Sequence, residues 1–356
     1  MGKEKKVEKN EKNDKSEKGF SQEELDKLIA KKYNIAGIDG SYIRETKRVI
    51  IPTTPTLDLA LHGGIPEGSW TLISGKKKTG KSSLALQIAA NAQRLGKYVY
   101  YLNIEHRFDQ KNLTTVSHLQ TDSAHFKVYQ STTEKIMSAQ DFLNLSVDLM
   151  TNHPGCVVIL DSISSLCSDN ELNKDIGEAA RPEGPKMFGQ FCRKMASTVP
   201  LNKITFIGIL HLIANTSGYG PAYMEDGGNK IQYQADTKLF CKGTTNWERG
   251  TGDDSKKIGS MVDWEVAFSA LGPPGETAKT FLRFGFGYDD VWEITTLGID
   301  LGLIQKGGAW YTIPAKPGCD PAEALKFQGQ EKLYQYYLEH PIETKSLYEE
   351  IKEMAT

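Results

Sequence analysis

The sequence predicts an α/β protein built on a largely parallel central sheet. An antiparallel extension, a short N-terminal helix and a small C-terminal α/β unit complete it. Three observations carry this reading. Between 70 and 210, apolar runs of strand length alternate with amphipathic stretches of helical period. The pattern Gly75-Lys-Lys-Lys-Thr-Gly80-Lys81-Ser82 stands between one such run and one such stretch. Val157-Val-Ile-Leu-Asp161 is apolar without alternation, as expected of a strand covered on both faces.

In chain order, residues 1–18 hold seven Lys and five Asp or Glu with almost no apolar side chain. They read as a disordered tail of net +2. Residues 19–48 read as an N-terminal helix and oligomerisation segment. Ser21-Gln-Glu-Glu24 is a capping box, Phe20 is placed for a staple on Leu25, and Gly37 and Gly40 break the pattern after about Lys32. The core spans 49–287. It is expected to hold strands over 70–74, 98–104, 157–160 and 204–210, with helices over 82–95, 139–150 and 185–195. Strands over 237–241, 262–269 and 279–286 form the antiparallel extension. A C-terminal domain, 288–356, is expected to close the chain with helices over 321–325, 329–340 and 344–354.

Composition narrows the function classes. The 356 residues carry 43 Lys plus Arg against 45 Asp plus Glu, a net charge of −2, which on its face argues against a protein that coats itself in nucleic acid. The distribution says more: 178–194 carries four cations against two acids, while the chain beyond the tail sums to −4. No apolar run approaches the roughly 20 residues of a membrane span, and the charged N-terminus is no secretory signal. No membrane partner and a cytoplasmic location, in a bacterial or phage-infected cell, are expected. Five widely spaced Cys, none in a C-x-x-C pair, indicate neither a zinc ribbon nor a disulfide framework.

The glycine-rich pattern has the context that a phosphate loop needs. Gly75 and Gly80 let backbone N–H groups turn inward around phosphate oxygens, and the helix that follows adds its dipole. Lys81 would reach the β- and γ-phosphates of ATP and Ser82 would hold Mg²⁺. Lys76, Lys77, Lys78, Thr79 and Ser83 complete the candidate nucleotide-binding stretch. Asp161 would bind Mg²⁺ through water. Glu105 ends a strand where a carboxylate would orient or deprotonate the attacking water; a structural Glu fits the pattern equally. His211 ends another, where it would contact or report the γ-phosphate, or serve structure alone. All four strand ends would meet at one sheet edge.

Together these residues resemble the RecA/UvsX family of ATP-dependent recombination proteins, from about Ile51 to the C-terminus. Thr56-Leu-Asp-Leu-Ala-Leu61 and Gly63-Gly-Ile-Pro-Glu-Gly68 are similar to the family's approach to the nucleotide loop. Ile104-Glu105-His106, then Asp109, resembles its catalytic Glu segment, and Asp161-Ser162 its magnesium strand. Gly227-Gly-Asn229 is similar to the close of its second DNA loop; Gly308-Ala-Trp-Tyr311 and the run from Gly329 to Pro341 resemble its C-terminal region. The resemblance implies a RecA-type ATPase core with Glu105, Lys81 and His211 as catalytic residues and Asp109 near the adenine. It implies a first DNA loop over 177–187 with Arg181 and Lys186, then Arg193. A second, over 212–229, would hold Tyr219, Tyr223, Gly227, Gly228 and Asn229. The implied partners are single-stranded DNA, homologous duplex DNA, further copies of the chain in a helical filament, and a single-strand-binding protein or loader. His211 stands where bacterial RecA has Gln and T4-type phage recombinases have His, which points to a phage-type member.

Two departures stand out. Val266-Ala-Phe-Ser-Ala-Leu271 occupies the strand where bacterial RecA carries two interface lysines; it holds no cation, and Lys279 and Arg283 are the candidates by proximity to supply one. The second loop carries Glu225 and Asp226 where cations are expected. The leading expectation is a DNA-dependent ATPase that promotes strand exchange. The alternatives are a low-hydrolysis paralogue or accessory filament or loader protein, and a RecA-core helicase.

Overall fold

The computed structural model describes residues 20–108, 116, 118–175, 183–215, 219–220, 222–250, 255–315 and 320–355. The tail, Asp109 and Arg181 therefore lie outside the described residues. The chain divides between Lys47 and Arg48 into two units.

In the first unit a helix runs Gln22–Tyr33. Ser21 Oγ accepts from the Glu24 N–H and the Glu24 carboxylate accepts from the Ser21 N–H, so both expected halves of the capping box form. A second helix, Gly40–Glu45, follows where the glycines suggested only a break. Asp39 Oδ1 accepts from the Ser41 N–H at 3.0 Å, so Gly40 opens a helix rather than ending one.

The second unit opens with a two-stranded pair, β1 (Ile50–Ile51) and β2 (Ile65–Pro66). Its main sheet has ten strands. These are β3 (Ser69–Gly75), β4 (Val99–Asn103), β5 (Phe126–Tyr129), β6 (Val157–Asp161) and β7 (Thr205–Ala214). Then come β8 (Tyr223–Asp226), β9 (Thr237–Arg249), β10 (Lys256–Phe268), β11 (Glu276–Arg283) and β12 (Gly287–Tyr288). The order is β12-β11-β10-β9-β3-β7-β6-β4-β5, with β8 added to β7. From β9 to β5 every neighbouring pair is parallel; the β9 to β12 pairs and β7–β8 are antiparallel.

The parallel strands are apolar throughout because alternate side chains enter different cores. Ile73, Ile159, Ile207 and Ile209 pack with Leu84, Ala85, Ile88 and Ala89 of the helix Lys81–Arg94. Their neighbours Leu72, Val158, Leu160 and Phe206 pack with Phe142, Phe188 and Phe191 of the helices Ala139–Asn152 and Gly184–Met195. A third core joins Ile294, Tyr311, Leu333, Tyr337, Leu347 and Ile351. It belongs to the helices Asp290–Asp300, Gln330–Glu339 and Pro341–Ala355 and a three-stranded sheet of β13 (Gln305–Gly307), β14 (Trp310–Ile313) and β15 (Leu325–Gln328).

Some elements differ from expectation. β5 is four residues long, too short to show a period. β9 and β10 run thirteen residues each, sustained by pairing with each other beyond the short apolar stretches. β11 ends at Arg283, earlier than expected, because Gly285 turns the chain at φ 74°. The helix expected over 321–325 is one 3-10 turn, Pro321–Glu323, followed by β15. Leu325 to Gln328 pair with Ile313 to Trp310, and that ladder outcompetes a fourth helical residue.

Two buried carboxyls tie the helix Pro55–Ala60 to its surroundings. Asp58 Oδ1 accepts from Thr53 N–H at 2.6 Å and Thr53 Oγ1 at 2.7 Å, and Tyr348 donates to Oδ2 at 3.3 Å. Glu293 accepts from the Thr56 and Phe281 N–H groups, both at 3.1 Å. Burial pushes each carboxyl up to about 7, against the hydrogen bonds that oppose it. A raised carboxyl contributes most stability below its unfolded-state value and loses that contribution as pH rises to the folded-state value. In Asp58→Asn, Oδ1 still accepts from Thr53 and the amide faces Tyr348. Relative to wild type, the variant should gain up to about 3 kcal/mol between pH 5 and pH 8, at about 1.4 kcal/mol per unit over roughly two units. Urea denaturation at the two pH values reads this difference; an offset that does not change with pH contradicts it.

Candidate active site

β3 delivers the chain to the glycine-rich loop at Gly75. A Cβ there would lie 2.7 Å from Cys241 Cβ on β9, so only glycine lets the loop leave the sheet at this point. Thr79 Oγ1 donates to the Lys76 carbonyl at 2.8 Å and closes the loop. Gly80 has φ 86°, and a Cβ on it would meet Tyr288 Oη at 2.9 Å. Lys81 then opens the helix, 5% exposed, its Nζ donating to the carbonyls of Gly75 at 3.0 Å and Lys76 at 2.7 Å. Burial lowers the Lys81 pKa, while Asp161, Cys241 and Glu105 oppose the fall.

A cleft of about 670 Å³ opens over this loop. Lys77, Lys78, Thr79, Gly80, Lys81, Ser82 and Ser83 form one wall; Glu105, Asp161 and His211 stand in the other. Register explains the meeting: Gly75 pairs with His211 and Asn103 with Asp161, and Leu160 pairs with Gly208, so the four positions fall near one edge of the sheet. Ser82 Oγ donates to Asp161 Oδ2 at 2.6 Å. Glu105 Oε1 accepts from Ser162 Oγ at 2.7 Å and Ser165 Oγ at 2.9 Å, with His211 Nε2 at 3.2 Å. Arg107 reaches the other oxygen at 2.8 Å. Burial alone would raise the Glu105 pKa; the two serines, His211 and Arg107 outweigh it and hold the carboxyl low. Burial lowers the His211 pKa, with the Glu105 charge opposing. Volume, glycine cradle and an ammonium–hydroxyl–carboxylate donor set fit a nucleoside triphosphate with its divalent cation.

The loop residues divide. Lys186 and Arg193 are exposed on the helix Gly184–Met195. Tyr219 is 87% exposed and Tyr223 47%, the latter on β8. Gly228, at φ 77°, lies where a Cβ would meet Pro185 Cβ at 3.1 Å, so the close of the second loop abuts the helix that follows the first. Asn229 opens the helix Asn229–Gln234. A hydrogen-bond chain joins cleft and loop: the His211 N–H donates to Ser164 Oγ at 2.9 Å, and Ser164 Oγ donates to the Asp226 carbonyl.

The model of the RecA N-terminal domain family matches residues 26–289 of this chain. The chain belongs to the RecA family. With the family come an ATP-dependent recombination and repair function and DNA-dependent ATP hydrolysis. Protein RecA, chromosomal, of Lactococcus lactis subsp. lactis is 26% identical over 308 residues, covering 85% of this chain and 74% of the relative. Protein RecA of Solidesulfovibrio magneticus is 28% identical over 280 residues, 76% and 74%. Protein RecA of Nautilia profundicola is 25% identical over 343 residues, 94% and 90%.

Sequence reasoning missed several residues of the RecA cleft. Tyr101 donates to Asp161 Oδ2, and Phe108 stacks on Tyr101 with ring centroids 4.3 Å apart. Ser162 and Ser165 hold Glu105, a role hinted at by the serine-rich run after Asp161. Arg107, Leu282 and Tyr288 came from no motif. Lys279 and Arg283 are both engaged: Lys279 lies 3.8 Å from Asp263, and Arg283 is 2.6 Å from Asp289 and packed on Trp247 and Tyr334. Among the described residues no helix is long and apolar enough to cross a membrane.

Proposed function

We propose that this RecA-family chain binds ATP and Mg²⁺ in the cleft and, in that state, assembles as a helical filament on single-stranded DNA, which it pairs with a homologous duplex. The observation that carries this reading is the hydrogen-bond chain from His211 through Ser164 to Asp226. It gives the nucleotide cleft and the 212–229 loop one shared element.

The triphosphate with Mg²⁺ would supply a phosphoanhydride bond polarised for attack by water. Lys81 turns from the Gly75 and Lys76 carbonyls to phosphate oxygens, with Lys77, Lys78, Thr79 and Ser83 beside it. Ser82 and Asp161 hold the cation, and Asp109 flanks the adenine. Glu105, ionised at neutral pH, orients the water and takes its proton at a carboxylate oxygen. His211, neutral at that pH, touches Glu105 and carries the state of the site to the loop. Arg181, Lys186 and Arg193 bind DNA phosphates. Tyr219 and Tyr223 stack on bases, and Gly227, Gly228 and Asn229 close the loop. The parts would be the 1–18 tail, the 19–48 oligomerisation segment, the 49–287 core and the 288–356 C-terminal domain. His211 supports a phage-type member acting in the cytoplasm, with a single-strand-binding protein or loader as further partner.

The test is electron microscopy with single-stranded DNA and a non-hydrolysable ATP analogue. Open helical filaments that need the analogue are expected; closed rings, or filaments indifferent to the analogue, contradict the reading. One observation favours a second reading, a low-hydrolysis paralogue. Val266 to Phe268 carry no cation, and Lys279 and Arg283 already lie against carboxylates. Analogue-dependent filaments without measurable turnover would support that reading.

A further inference from the structure

We infer that a groove in the C-terminal region is a docking site for a protein partner, one that presents a large apolar side chain flanked by Lys or Arg. None of the nucleotide or DNA residues lines it. The family match ends at 289, and the groove is built wholly from residues between 302 and 350.

The groove holds about 480 Å³, and Leu303, Ile313, Leu325, Tyr336 and Leu347 give it an apolar floor. Local structure gathers these side chains. Ile313 and Leu325 are partners in the β14–β15 ladder, so they stand side by side on one face of that sheet. Leu325 keeps 41% of its surface exposed, an apolar contact left open. On the helix Pro341–Ala355, positions 343, 346, 347 and 350 have the spacing of a single face, and all four reach the groove.

The charge around this floor has one sign. Glu323, Glu343 and Glu350 are exposed and line the groove, and among the described residues no Lys or Arg does. Burial raises the Tyr336 phenol, and the Glu343 charge adds to the rise. Burial also raises Tyr337, with Tyr336, Glu350 and Glu343 reinforcing it. The imbalance extends to the whole region. Residues 288–356 carry twelve Asp or Glu against six Lys or Arg, a net of −6, whereas 1–287 sums to +4. Such a surface repels DNA phosphates. An uncharged apolar segment would cover the carboxylates without pairing them, at a desolvation cost. A segment with cations on both sides of an apolar anchor fills the floor and pairs the rim.

The test uses the full chain and the fluorescence anisotropy of a labelled peptide of about ten residues, with Leu-Trp at its centre and Lys on both sides. Saturable binding is expected, with a Kd on the order of 10–100 μM. The double variant Glu343→Gln, Glu350→Gln should bind about tenfold more weakly, or ~1.4 kcal/mol. A peptide with Ala-Ala at its centre should lose at least as much. Glu323→Gln combined with Leu325→Ser is the second variant should the helix changes misfold. ATP turnover should be unchanged in every variant, which separates loss of the groove from loss of the fold. No binding overturns the proposal. So does binding indifferent to the Ala-Ala change, which reports surface charge without a groove. Displacement of the peptide by single-stranded DNA would assign the groove to nucleic acid and overturn it. A lower sedimentation coefficient for the double variant alone would assign the groove to a second copy of this chain, and would overturn it equally.

Discussion

Lys81→Ala is expected to lower ATP turnover by about 10²–10³-fold, the range for removing one preorganised charge from a reaction centre. Lys81 is suited to that role because its ammonium is already dry and held in place. At 5% exposure it has two backbone carbonyls as partners and no solvent shell to shed. Alanine also leaves those carbonyls without their donor, so the variant needs a stability control by thermal melting. Lys81→Arg retains the charge, but its planar fork does not match a point ammonium seated between two carbonyls, so it should recover little activity. Turnover within tenfold of wild type in the alanine variant would remove Lys81 from the chemistry.

Glu105→Gln should cut turnover by about 10²–10⁴-fold while the chain still binds a non-hydrolysable analogue. Gln accepts from Ser162 and Ser165 as Glu does, and Arg107, 62% exposed, can swing into water at little cost. The variant therefore removes proton-accepting capacity with the frame kept. The pH profile follows from the same contacts. Glu105 is held below its ordinary 4.5 and His211 below its ordinary 6.5, so both keep their neutral-pH states on mild acidification. The acid limb of turnover should fall below pH 6.5; a limb centred at neutrality contradicts this protonation assignment.

Much of this was legible before any coordinates. Strands buried on both faces announce themselves by unbroken apolar runs, and a phosphate loop must follow one of them and open a helix. Those constraints are local, so 69–94 and 157–161 could be read directly. What was hidden depends on contacts distant in sequence. Nothing near Tyr288 says that its hydroxyl meets Gly80, 208 residues away. β15 exists because β14 offers it a partner, against the helical look of 321–325. Ser162 and Ser165 matter because Glu105 arrives 57 and 60 residues earlier in the chain. The near-neutral charge misled in the same way: it averages Glu225, tied to Lys238, with cations that face solvent.

The central claim is that nucleotide chemistry and DNA engagement are two ends of one element, β7 with its loop. The direct measurement is ATP turnover by the purified full chain, with and without single-stranded DNA, against Lys81→Ala. The account predicts turnover that rises at least tenfold on adding DNA, with neither the rise nor the basal rate surviving in the variant. Turnover that is the same with and without DNA would contradict it.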